Sequence, residues 1–161
     1  MPIPHDVSAR EPSQHEKFMQ LAVELAREAE AFGEVPVGAV IVLDSEIIGR
    51  GRNSPISMSD PTAHAEILAL REAGRTIGNY RLEGATIYAT LEPCVMCAGA
   101  LVAARVASVI FGTRDLRFGG VRSKFHLADT DVLNHRVAIT EGILGAECAQ
   151  LMQDFFSKRR Q

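Results

Sequence analysis

Residues 85–104 read ATIYATLEPCVMCAGALVAA, and this stretch contains a whole strand–loop–helix unit. Ala85 to Thr90 follows Gly84, is apolar and carries β-formers, so it reads as a strand. Leu91-Glu92-Pro93 is a short loop. Cys94 to Ala104 then reads as a helix, and its small residues Ala98, Gly99, Ala100, Ala103 and Ala104 suit close packing on a sheet. Towards the N-terminus, Thr62 can cap a helix running to about Ala73 and closed by Gly74. Asn53 to Pro61 is a loop with two prolines. Val37 to Leu43 is an apolar, β-branched strand, Asp44-Ser45 is a turn, and Glu46 to Gly51 pairs back. Ser13 offers a helix N-cap with Glu16 as its capping-box partner. Phe18, Leu21, Ala22, Leu25, Ala29 and Phe32 follow at helical spacing, and Gly33 ends the segment. Towards the C-terminus, Ala107 to Phe111 reads as a fourth strand. Residues 112–134 show no clean period and read as a long functional loop. Val137 to Ile139 reads as a short fifth strand. Ala146 to Arg159 is a final helix with Leu151, Met152 and Phe155 on its apolar face. Helices alternating with strands predict an α/β protein, a three-layer α/β/α sandwich.

The chain has 161 residues, 47% of them hydrophobic and 23% charged, which suits a single soluble domain with a sizeable core. Residues 13–161 are expected to form that domain and residues 1–12 a flexible leader. The net charge of −3 argues against a broad nucleic-acid-binding surface, but leaves a local basic patch at Lys158, Arg159 and Arg160. Three cysteines make no disulfide framework. No secretory h-region and no membrane-length apolar run are apparent, so a reducing cytoplasm is expected.

The chemistry concentrates in His64-Ala65-Glu66 and Pro93-Cys94-Val95-Met96-Cys97. One imidazole and two thiols can hold zinc. Three protein ligands leave a position for water, whose pKa bound zinc lowers to roughly 7. Cys94 and Cys97 lie three apart at a helix start, on one face, where the helix dipole favours thiolate. A buried thiol pair, a redox CxxC and a structural zinc are the alternatives. A structural site closes with four ligands, for which His5, His15, His126, His135 and Cys148 are the spare candidates. Cys148, in the final amphipathic helix, reads as core. Glu66 is either a solvated helix carboxylate or a group that shuttles protons for the metal-bound water.

The motifs extend beyond the metal residues. They include Glu34-Val35-Pro36-Val37-Gly38-Ala39, Asn53, His64-Ala65-Glu66 and the run from Thr90 to Ala100. Gly112-Thr113-Arg114-Asp115, Asn134-His135-Arg136 and the ending Asp154 to Arg160 complete the set. The chain resembles the zinc-dependent cytidine deaminase superfamily, whose own signature is H-x-E with P-C-x-x-C, and more closely the bacterial tRNA-specific adenosine deaminases. The resemblance implies a mixed five-stranded sheet flanked by helices, a homodimer and one Zn2+ per subunit. It implies conversion of the wobble adenosine of an arginine tRNA anticodon to inosine. His64, Cys94 and Cys97 carry over as zinc ligands and Glu66 as proton shuttle. Asn53 carries over as a contact to the flipped nucleotide, Asp115 and Phe156 as positions near the anticodon loop, and Arg159 and Arg160 as phosphate contacts. Residues 116–129 depart from the family pattern. A deaminase of a free base or nucleoside would share every metal residue, and a zinc-stabilised interaction module would share the ligands.

Overall fold

The computed structural model describes residues 11–160; the expected leader lies almost wholly outside them. The chain runs α1 (Gln14–Ala31), β1 (Gly38–Leu43), β2 (Glu46–Arg52), α2 (Pro55–Met58), α3 (Ala65–Ile77) and β3 (Thr86–Leu91). It continues through α4 (Val95–Ala104), β4 (Ser108–Thr113), β5 (Ala138–Glu141) and α5 (Gly145–Arg159). The start of α1 is the expected capping box, with the Ser13 hydroxyl accepting from the Glu16 N–H at 3.1 Å and the Glu16 carboxylate returning to the Ser13 N–H. Between β1 and β2, Asp44 and Ser45 both take positive φ, the backbone of a two-residue hairpin whose twist matches its strands.

The five strands form one mixed sheet in the order β2-β1-β3-β4-β5. β1 is antiparallel to both β2 and β3, whereas β3–β4 and β4–β5 are parallel. Alternate residues of the central strands feed two separate cores. Ala39, Ile41, Ile87, Ala89, Val109 and Phe111 pack with Ala65, Ala69 and Ala73 of α3 and Ala98 and Leu101 of α4. Val40, Val42, Tyr88 and Ile110 pack with Met19, Ala22, Val23 and Ala26 of α1 and Cys148 and Leu151 of α5. Two helices on each face make the expected three layers. Alanines let α3 ride directly on the sheet: a Cβ at Gly51 of β2 would sit 2.0 Å from the Ala65 carbonyl oxygen.

Three local expectations are corrected. The stretch after Asn53 is not all loop, because Pro55 opens the short helix α2. Thr62 does not cap α3. Its hydroxyl and N–H both go to Asp60, and His64 takes the N-cap position. Gly74 does not close that helix, which runs on to Gly78, a left-handed residue at φ +68°.

Candidate active site

The metal residues are brought together by two helix N-termini. His64 is the N-cap of α3, Cys94 is the N-cap of α4, and Cys97 lies in the first turn of α4. His64 Nδ1 faces both sulfurs, at 3.5 Å from Cys94 Sγ and 3.6 Å from Cys97 Sγ. The three ligand atoms lie within 4.8 Å of one another, and among the described residues no fourth His, Cys, Asp or Glu joins them. Of the spare candidates, His15 contacts the Tyr88 hydroxyl, His135 meets the Val106 carbonyl, and Cys148 is buried in the core; His5 lies outside the described residues. One imidazole and two thiols, with their atoms converging at the positive ends of two helices, fit zinc and leave a coordination position open.

The electrostatics agree with that donor set. The Cys94 thiol is held down to about 4, by the Cys97 thiol first and then by the His64 ring, against its own burial. Cys97 is pushed up by its hydrogen bond to Cys94 and by burial. The His64 ring is raised by Cys94 and, secondarily, by the Glu66 charge. Glu66 is 4% exposed, and burial raises its carboxyl above the ordinary range.

His64, Glu66 and Cys94 line a cleft of about 530 Å³, together with Val35, Val37, Asn53, Asp115, Phe118 and Phe156. Of the residues carried over from the family pattern, Asn53, Asp115 and Phe156 therefore meet the metal site in one space. Cys97 lies behind it, fully buried. Arg159 and Arg160 do not line the cleft. Arg159 donates to the Gly33 carbonyl at 2.9 Å and lies 4.5 Å from the centre of the Phe155 ring, while Arg160 is exposed at the end of α5. Asp115 also has a local task, since its Oδ1 accepts from the N–H groups of Arg117 and Phe118.

Arg117 and Phe118, within the segment that departs from the family pattern, stand in the cleft wall, and two buried glutamates tie its loops. Glu34 accepts from the Ile56 N–H at 3.1 Å and from the Ser57 N–H and hydroxyl, both at 2.7 Å, fixing α2 beside Asn53. Glu92 does the same for the loop after β4. Glu34 stands in a quoted motif, but its partners lie more than twenty residues away, so no local pattern marks its role.

Comparison with known proteins places this geometry. The family described as the cytidine and deoxycytidylate deaminase zinc-binding region matches residues 12–113. The tRNA-specific adenosine deaminase of Haemophilus influenzae is 52% identical over 91% of this chain and 85% of its own length. A chain solved in work on A-to-I editing by tRNA:A34 deaminases is 40% identical, covers 84% of this chain and 98% of itself, and superposes with a TM-score of 0.81. A guanine deaminase structure from Bacillus subtilis is 44% identical but covers 62% of this chain and 64% of its own, with a TM-score of 0.61. The chain belongs to the zinc-dependent cytidine and deoxycytidylate deaminase family, on its tRNA-specific adenosine deaminase branch.

Proposed function

We propose that this protein hydrolytically deaminates the wobble adenosine, position 34, of a tRNA anticodon to inosine, with an arginine tRNA as substrate. The observation that carries this reading is the likeness to tRNA deaminases over most of both chains, together with a cleft that sets Asn53 and Phe156 beside the metal residues. The guanine deaminase of Bacillus subtilis covers 62% of the chain, and that of Nitrosomonas europaea covers 98% at 24% identity, a likeness of fold alone.

His64, Cys94 and Cys97 would hold Zn2+, which supplies a Lewis acid that turns water into a nucleophile near neutral pH. Glu66 moves the protons. Its carboxylate accepts one from the attacking water as the water oxygen bonds to C6 of adenine. It returns that proton to the ring nitrogen N1, then helps transfer the remaining proton to the departing amino group, which leaves as ammonia. A carboxyl raised by burial is suited to both halves of that exchange, because it gains and loses a proton closer to neutrality. Asn53, on the cleft wall, is proposed to hold the flipped base, since its amide can both donate and accept. Phe156 is proposed to stack on a neighbouring base, and Arg160 to meet phosphate. No described helix is long and apolar enough to cross a membrane. The cytoplasm is the proposed location, in keeping with a tRNA substrate.

The test is a substrate panel of an anticodon stem-loop, free adenosine and free guanine. The expected result is turnover of the stem-loop alone. Comparable turnover of guanine or free adenosine would support the small-molecule reading and overturn this one.

A further inference from the structure

The stretch between β4 and β5 has no helix or strand, yet its first part is fixed from a single point. Glu92 is 2% exposed and ends inside this loop. Its Oε1 accepts from the Asp115 N–H at 3.1 Å and from the Ser123 hydroxyl. Its Oε2 accepts from the N–H groups of Val121 at 3.1 Å, Arg122 at 2.7 Å and Ser123 at 3.0 Å. The loop also pairs with the turn that carries the metal: Gly119 bridges to Cys94, and the Gly120 N–H reaches the Pro93 carbonyl at 2.8 Å. A Cβ at Gly119 would lie 2.4 Å from the Glu92 carboxylate, so only glycine admits this approach. Asp115 then closes a tight turn on the N–H groups of Arg117 and Phe118, at 3.1 and 3.2 Å.

This network holds Phe118 in the cleft wall, where the residue is 64% exposed. Single exposed aromatics are ordinary. Leu116, Phe125 and Val132 of the same segment are exposed as well, but none of them lines the cleft. Phe118 does, on a backbone tied at both ends, with the Arg117 guanidinium 5.8 Å from its ring centre. A rigid aromatic face beside a cation, opening onto the same space as Phe156, suits single-stranded nucleic acid: each base has a face to stack, and each linkage carries a charge.

We propose that Phe118 is a stacking surface for a nucleotide next to the target adenosine, that Arg117 meets the adjoining phosphate, and that Glu92 is the positioning residue that holds both in place. This inference rests on the tRNA reading above. It predicts a split between binding and chemistry. Phe118→Ala raises KM for an anticodon stem-loop about tenfold, within the range that base–aromatic stacking gives, with kcat within about threefold of wild type. Phe118→Tyr restores KM, because the ring face is kept. Glu92→Gln keeps the shape but replaces one acceptor oxygen with a donor, and raises KM by at least as much while zinc stays at one per chain. Steady-state kinetics on the stem-loop, with zinc content and melting temperature measured alongside, read all three variants. Unchanged KM in Phe118→Ala, or a Glu92→Gln effect confined to zinc loss and a lower kcat, overturns the inference while wild-type inosine formation stands. Wild-type protein that makes no inosine in the stem-loop overturns both this inference and the functional reading.

Discussion

Three glutamates are buried among the described residues, and their surroundings give them opposite duties. Burial raises the carboxyl of each. Around Glu34 the Ser57 and Ile56 donors outweigh it, and around Glu92 the Ser123, Arg122 and Asp115 donors do, so both stay below the ordinary range and remain permanent anions. Glu66 has no such ring of donors and is pushed up, which suits a group that must pick up and release a proton. Glu66→Gln is therefore expected to lower kcat by about 10²–10⁴-fold, the usual worth of a general acid–base group, with zinc still at one per chain. Activity assays with metal analysis check this, and retained activity would remove Glu66 from the mechanism. Glu66 was legible in the sequence because it stands beside a ligand at a helix start. Glu92 was not, because its partners come from residues 115–123, where no periodicity forecasts backbone donors turning inward.

At the scale of elements, helix ends decide most of what happens. The N-termini of α3 and α4 point their first turns at one spot, which is how residues thirty apart come within bonding distance. The strand–loop–helix character of residues 85–104 was readable from composition alone. The entry into α3 was not, because Asp60 takes the Thr62 hydroxyl and shifts the cap to His64. The last helix shows the same limit. Sequence reasoning grouped Arg159 with Arg160 as a basic tail, but Arg159 ties α5 to the carbonyl just past α1 and covers Phe155. The two residues should therefore separate on substitution. Arg159→Ala is expected to lower stability by about 1 kcal/mol, the net worth of a lost hydrogen bond, or roughly 2–4 °C in Tm. Arg160→Ala is expected to leave Tm unchanged and flatten the salt dependence of tRNA binding by a log–log slope of about 0.7. Thermal melts and binding across a salt series distinguish them, and equal melting temperatures for the two variants would contradict the division.

For the whole molecule, the order of elements followed from hydrophobic pattern, whereas the strand order β2-β1-β3-β4-β5 did not, since nothing in local spacing states which strand lies beside which. That order sets the site. The cleft opens beyond the carboxyl end of β3 and draws His64 and Glu66 from α3, Cys94 from α4 and Phe156 from α5 on the opposite layer. A second surface lies along α3 and α4, where Ile67, Leu70, Tyr80, Ala100 and Ala103 line an apolar depression of about 660 Å³. A second copy of the chain is proposed to cover it. Sedimentation should give twice the chain mass, and charging Ala103 as Ala103→Glu should shift the protein towards monomer; a monomeric wild type would contradict the proposal. The direct test of wobble deamination is nucleotide-resolved detection of inosine in an arginine tRNA incubated with zinc-loaded protein. Conversion is expected at position 34 with the other adenosines unchanged, and one ammonia released per inosine formed. Conversion scattered over many adenosines, or none at position 34 while a free base or nucleoside is turned over, would contradict it.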